Sequence, residues 1–251
     1  MMIKYLSVIA VATVSLNANA IQIIKDNKND VKVTGLAYAG HIFGDEKDSQ
    51  MYGDNTFVRF GADAKTVIND QLTAIGKYEA QLRSNVVDSE SSGTDTRTRF
   101  IFGGVKTNGI GTFTFGRQDC AIYANVAKWT DVTYTDNYGG KATGIVPDRF
   151  GTRRSSDVLK YEGEFGKAIL AASYKFKTTR DQLSNNNIAD ESNSAYGVAA
   201  SYEIFNYLNI GAGYANGNRA DSVASTGTIT HYDDNAQLYV LGVKYDDKAW
   251  Y

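Results

Sequence analysis

Residues able to do covalent or metal chemistry are few in this chain of 251, and they do not cluster. It contains one cysteine, Cys120, and two histidines, His41 and His231. Neither histidine lies near Cys120 in sequence, so no base is placed to ionise the thiol. No Cys/His group has zinc-ligand spacing, and no Ser or Asp stands in an ordered relation to either histidine as a nucleophile-base pair requires. A lone cysteine cannot form an internal disulfide. Neither a metal centre, a cofactor nor a catalytic site is expected. The charged residues are a different matter. Lys77, Glu79 and Arg83 recur at every second or fourth position of one segment, and Arg59, Asp63 and Lys65 do the same in another. Such spacing puts them on one face of an extended strand.

The elements that must carry those charges follow from the same period. In Gln71–Arg83, Leu72, Ala74, Tyr78, Ala80 and Leu82 share one face, and Thr73, Lys77, Glu79, Gln81 and Arg83 share the other. Val58, Phe60, Ala62 and Ala64 alternate with Arg59, Gly61, Asp63 and Lys65. Leu170, Ala172, Tyr174 and Phe176 alternate with Ala171, Ser173, Lys175 and Lys177. Tyr239, Leu241, Val243 and Tyr245 alternate with Val240, Gly242 and Lys244. One face is apolar, with aromatics near the strand ends, and the other is polar and charged. That is the inverse of a soluble barrel.

Ten complete strands are expected, at about 31–43, 56–68, 71–83, 97–107, 110–118, 155–163, 168–177, 194–205, 207–217 and 235–245, with another beginning near Ala249. Short connections alternate with long ones, as in barrels of the bacterial outer membrane. Pattern alone leaves open a soluble all-β barrel or sandwich.

Residues 1–20 read as an export signal. Lys4 precedes the apolar run Tyr5–Leu16, and Ala18-Asn19-Ala20 is a small-x-small cleavage site. The mature chain, 21–251, is then expected to be one domain with the signal outside the fold. No apolar run of eighteen residues follows Ala20, which excludes a helical membrane protein. A net charge of −2 gives no nucleic-acid footprint.

Several ordered segments resemble the general diffusion porins of the Gram-negative outer membrane. DVKVTGLAYAGHIF (30–43) is similar to the family's first strand, and FVRFGADAKTVINDQLTAIGKYEAQL (57–82) to its second hairpin. RTRFIFGGVKTNGIGTFTFGRQ (97–118) resembles the third hairpin, and WTDVTYTDNYGGK (129–141) the acidic tip of an inward-folded loop. The resemblance implies an all-β, transmembrane antiparallel barrel of 16 strands, multi-pass in the cell outer membrane. It also implies homotrimers in contact with outer-membrane lipid and lipopolysaccharide, with passive diffusion of ions and small hydrophilic solutes and no enzyme activity. The chain looks like the N-terminal two-thirds of such a protein. It is expected to be either a piece of a longer chain or the product of a truncated gene.

The same resemblance implies roles for individual residues. Arg59, Arg97, Arg99 and Arg154 match the basic wall of the pore constriction, Arg154 sharing strand parity with Ser156, Lys160 and Glu162. Asp131 and Asp136 match the acidic positions of the loop, with Asn137 as an alternative to Asp136, and Gly139-Gly140 would let the loop turn. Lys77 and Glu79 would line the pore and bridge to the arginines. Arg117 would pair with an acidic residue of a neighbouring subunit, Glu90 or else Asp88 or Asp95. Leu36 stands where a pore-facing lysine is common. Trp129, Tyr134 and Tyr138 are too few for a sugar track. A surface adhesin or phage receptor is the competing function.

Overall fold

The computed structural model describes residues 11–42, 53–54, 56–83, 96–131, 153–180, 190–192, 194–218, 222–223, 229–230 and 235–247. The strands in chain order are β1 (Val11–Lys25), β2 (Asn29–Ile42), β3 (Gly53–Asp54), β4 (Phe57–Asn69), β5 (Leu72–Arg83), β6 (Thr96–Thr107) and β7 (Gly111–Asp119). After a short helix α1 (Ala121–Asn125) and a 3-10 turn (Ala127–Thr130) come β8 (Arg154–Phe165), β9 (Ala168–Lys175), β10 (Thr178–Arg180), β11 (Asp190–Ser192) and β12 (Ala195–Phe205). The remaining strands are β13 (Leu208–Asn218), β14 (Ser222–Val223), β15 (Ile229–Thr230) and β16 (Asn235–Tyr245). All ten expected strands are present within two residues of their expected ends. The segment near Ala249 lies outside the described residues.

The chain divides into two compact units, residues 1–66 with 77–100, and residues 67–76 with 101–251. In the first, the strand order is β1-β2-β4-β5-β6, with β3 beside β2. In the second it runs β6-β7-β8-β9-β12-β13-β16, while β10-β11 and β14-β15 form separate two-stranded ribbons. The neighbours in β1-β2-β4 and in β6-β7-β8-β9-β12-β13-β16 pair antiparallel, and the short turns carry the chemistry that makes them tight. Asp26 Oδ1 accepts from the backbone N–H groups of Lys28 (2.7 Å) and Asn29 (2.6 Å), which closes an Asx-type turn between β1 and β2.

β1 was not among the expected strands. It begins at Val11, and Val11–Ala18 pair with Gly35–Ile42 of β2, so half of the segment expected to stand outside the fold is a strand. The physical reason is compositional. VATVSLNANA is apolar and β-branched enough to add to a sheet edge as readily as to form the apolar run of an export signal.

In the second unit the sheet is inside-out. Tyr196, Val198 and Tyr202 of β12 are exposed, whereas Ala195, Ala199 and Ser201 on the opposite face are buried. On β9, Leu170 and Tyr174 are exposed and Ala171, Ser173 and Lys175 are buried. On the exposed face Leu170, Ala200, Ala212 and Leu241 form one row across four strands by register. Tyr196, Tyr214 and Tyr239 meet edge-on and tilted above that row, with ring centroids 6.2 and 4.9 Å apart, and Tyr202 and Tyr245 lie below it. Tyr239 and Tyr245 are six residues apart, about 20 Å along the strand at ~3.3 Å per residue. An apolar band flanked by aromatic girdles suits a surface facing hydrocarbon. The first unit repeats the alternation: Val58 and Phe60 are exposed, and Phe57 and Gln81 are buried.

Candidate functional site

Two charged clusters stand out, and each lies within one unit. In the first, β4, β5 and β6 carry the charged face. Gln81 of β5 has no solvent exposure. Its Oε1 accepts from Arg59 Nε at 2.8 Å and from Arg99 Nη1 at 3.4 Å. Arg99 Nε also donates to Glu79 Oε1 at 2.5 Å, with both side chains mostly buried. The Arg59 guanidinium lies 4.5 Å from the centroid of the Phe57 ring, a cation–π arrangement that holds the group extended. Arg97, on the same strand face as Arg99, is exposed. The arginines stay charged at every physiological pH, so this cluster is a permanent positive surface that Glu79 trims.

Glu79 therefore bridges to the arginines as expected. Lys77 does not: its Nζ pairs with Asp63 Oδ1 at 3.0 Å, because Asp63 lies beside it on β4 at the same face parity. Leu36 stands opposite Arg59 in register. Gln81 joins Arg59 to Arg99, a role sequence reasoning missed, although its parity with Lys77 and Glu79 was visible.

In the second unit the chain leaves β7 and lays α1 and the 3-10 turn on the buried face of the sheet. Small residues make room. A Cβ placed on Gly211 would lie 2.7 Å from the Trp129 ring, and one on Gly242 would lie 2.9 Å from Val126. Ile122 and Ala127 pack with Ala215, and Tyr123, Leu238 and Val240 border them. Polar pins fix the rest: Ser173 Oγ accepts from Ala121 N–H at 3.0 Å, Ser201 Oγ donates to Asn125 Oδ1 at 2.7 Å, and Asn125 Nδ2 donates to the Ile169 carbonyl at 3.2 Å. Nothing in the strand pattern marks these positions except small residues at alternate sites, such as Gly211, Gly213 and Ala215.

Asp131 ends the 3-10 turn. Its carboxylate accepts from Arg153 Nη2 at 2.7 Å and from the Tyr123 hydroxyl, and Arg153 lies 5.0 Å from the centroid of the Tyr123 ring. Burial, and then the hydrogen bond to Asp131, push the Tyr123 phenol up to about 12, so it stays a neutral donor. Arg153 was not among the expected site residues. Its neighbour Arg154 is buried and stands opposite Asp119 in register. The parity expected for Arg154 is broken by a β-bulge: Gly116 pairs with Val158 but Gln118 with Ser155, and Asp157 adopts φ 55°. One extra residue in β8 shifts everything before it by one step. Ser155, not Ser156, then shares the face of Gln118. Arg117 Nη1 donates to Ser156 Oγ at 3.0 Å. Asp136, Asn137, Glu90, Asp88, Asp95, His231, Tyr134, Tyr138 and Gly139-Gly140 lie outside the described residues.

Cys120 opens the docked segment, its N–H bonded to the Arg153 carbonyl at 2.8 Å. Burial pushes its thiol up to about 12. An ordinary thiol near 8.5 is about one-quarter ionised at pH 8, whereas one near 12 is ionised to about one part in ten thousand. Thiol reagents should therefore label the folded protein at least about a thousandfold more slowly than the urea-unfolded chain, and the rate should rise about tenfold per pH unit up to pH 10. Equal rates in the two states would show the site to be open. Among the described residues no group of three or more Asp, Glu, His or Cys side chains could hold a metal ion.

Residues 25–251 match the family model described as Gram-negative porin. The chain is 33% identical over 252 residues to the outer membrane porin protein OmpD of Salmonella typhimurium strain LT2, covering 96% of this chain and 66% of that protein. It is 32% identical to OmpD of Citrobacter koseri, covering 96% of this chain and 67% of the relative. It is 30% identical to the putative outer membrane porin protein NmpC of Escherichia coli K12, covering 96% and 66%. The chain thus spans about two-thirds of the length of the curated relatives it matches. A solved structure, Salmonella typhi OmpF in complex with daunomycin, superposes with a TM-score of 0.72 at 23% identity, covering 89% of this chain and 64% of that one. That likeness supports the fold.

Proposed function

The chain belongs to the Gram-negative porin family, and from that premise we propose that it contributes to a water-filled channel of the outer membrane, open to passive diffusion of ions and small hydrophilic solutes. One observation carries the reading: the sheet turns its apolar face outward and seats a loop against its polar face. A surface that lines water on one side and hydrocarbon on the other needs that inversion. The relatives are porins, channels rather than enzymes.

In this reading Arg59, Arg97 and Arg99 form the basic wall of the constriction, with Arg154 assigned to it by family resemblance and not by strand parity, and Asp131 and Asp136 lie on the loop that narrows it. Lys77 and Glu79 line the pore through the pairs they make with Asp63 and Arg99. Arg117 reaches an acidic residue such as Glu90 of a neighbouring subunit in a homotrimer, within outer-membrane lipid and lipopolysaccharide. Residues 1–20 are removed on export, and β1 of the mature protein starts at Ile21. Positive wall and negative loop together orient dipolar solutes and set a weak ion preference.

The test is conductance. The full-length protein, purified from outer membranes and added to planar bilayers, should open in steps of three with ohmic current at low voltage. Folded trimers that pass no current would favour an adhesin or phage-receptor role instead.

A further inference from the structure

We propose that Arg153, Tyr123 and Asp131 form a clasp that fastens the docked loop at its base, and that Arg153 thereby sets the charge the loop presents to permeating ions. The inference rests on the channel reading above. Asp131 follows the docked 3-10 turn, and Arg153 immediately precedes β8. Their ion pair at 2.7 Å ties the end of the docked segment to the start of β8. Tyr123, the third residue of α1, donates to the same carboxylate oxygen and places its ring under the guanidinium. The backbone bond from Cys120 to Arg153 adds a second tie. The docked segment is thus fastened to the base of β8 by a cation, an anion and a phenol, all partly withdrawn from water.

This has a consequence for specificity. An acidic loop position with a free carboxylate adds negative charge to the narrow point. Asp131 is not free in that sense, because a guanidinium sits against it and the pair is neutral at distances beyond a few ångströms. The residue that decides whether Asp131 counts as a charge is therefore Arg153, which strand parity passes over in favour of Arg154. Removing Asp131 alone uncovers a cation. Removing Arg153 alone uncovers an anion. Removing both restores neutrality, so the two substitutions act in opposite directions on ion preference.

The experiment is a double-mutant cycle read by two independent signals. The first is the reversal potential of the full-length protein in a salt gradient. Arg153→Met should raise the cation-to-anion permeability ratio about twofold, Asp131→Asn should lower it by a similar factor, and the double variant should return to the parent value. Reversal potentials that stay fixed in Arg153→Met while the channel conducts would overturn the proposal, as would a double variant as anion-preferring as Asp131→Asn. The second signal does not need conduction. Trp129 and Trp250 are the two tryptophans of the chain, so a Trp250→Phe background isolates Trp129, which packs against the wall at Gly211 and Gly242. Acrylamide quenching of Trp129 should rise at least twofold in Arg153→Met and Tyr123→Phe in the folded, detergent-solubilised protein. Unchanged quenching in both would also overturn the clasp. Increased quenching in a folded protein that passes no current would keep the clasp and remove the channel reading.

Discussion

Replacing Arg59, Arg97 and Arg99 together by glutamine raises the cation-to-anion permeability ratio about fivefold at 0.1 M salt. The estimate is Coulombic. A charge about 10 Å from an ion in water contributes about 0.4 kcal/mol, and screening at that ionic strength leaves about 0.15 kcal/mol. Three charges acting with opposite sign on cation and anion change the ratio by a Boltzmann factor of about five. The effect should fade at 1 M salt, where the screening length falls to about 3 Å. The three do not contribute in the same way. Arg59 meets the neutral Gln81, so its loss removes a positive charge. Arg99 is compensated by Glu79 at 2.5 Å, so its loss uncovers a carboxylate and should also loosen the packing of β5 against β6. Reversal potentials in a salt gradient read the first effect, and thermal unfolding in detergent reads the second. A triple variant with the parent reversal potential would show that these arginines do not line the ion path.

Ala200→Arg should be the most damaging single change outside the site. Ala200 sits in the middle of the exposed row with Leu170, Ala212 and Leu241, between two aromatic girdles. A guanidinium on the lipid face near the bilayer midplane costs about 2–4 kcal/mol, falling toward the interfaces. The matching control is Glu203→Arg, three residues along β12 on the opposite strand parity and nearer its end. Lumen positions take charge with little loss. Urea titration of protein folded into lipid vesicles should show a lower midpoint for Ala200→Arg and a nearly unchanged one for Glu203→Arg. If Ala200→Arg were as stable as its parent, the exposed face would not contact hydrocarbon.

Both predictions draw on features that a strand displays locally. A pleated backbone sends neighbouring side chains to opposite faces, so Val198 and Ala199, or Leu170 and Ala171, announce their environments by alternation alone. That is why ten strands, their inversion and the family resemblance are legible in the sequence. The same locality is ambiguous at one place and misleads at another. An apolar run such as Val11–Leu16 satisfies an export signal and a sheet edge equally well, so β1 was not foreseen. Parity counted through β8 fails because the bulge at Asp157 inserts one residue, and nothing in Arg153-Arg154-Ser155-Ser156 tells which arginine follows which face.

The linear chain determined the strand period, the apolar outer face, the charged inner face and the residue types on each. Only the tertiary structure decided which charges meet. Lys77 takes Asp63 rather than an arginine, Glu79 takes Arg99, and Gln81 joins Arg59 to Arg99. Asp131 is held by Arg153 and Tyr123, and Trp129 finds its seat over Gly211 and Gly242. Strand alternation is a property of neighbouring residues, fixed by backbone geometry wherever the strand lies. Pairing depends on register, on a bulge and on where a loop comes to rest, and those are settled by contacts between segments far apart in sequence.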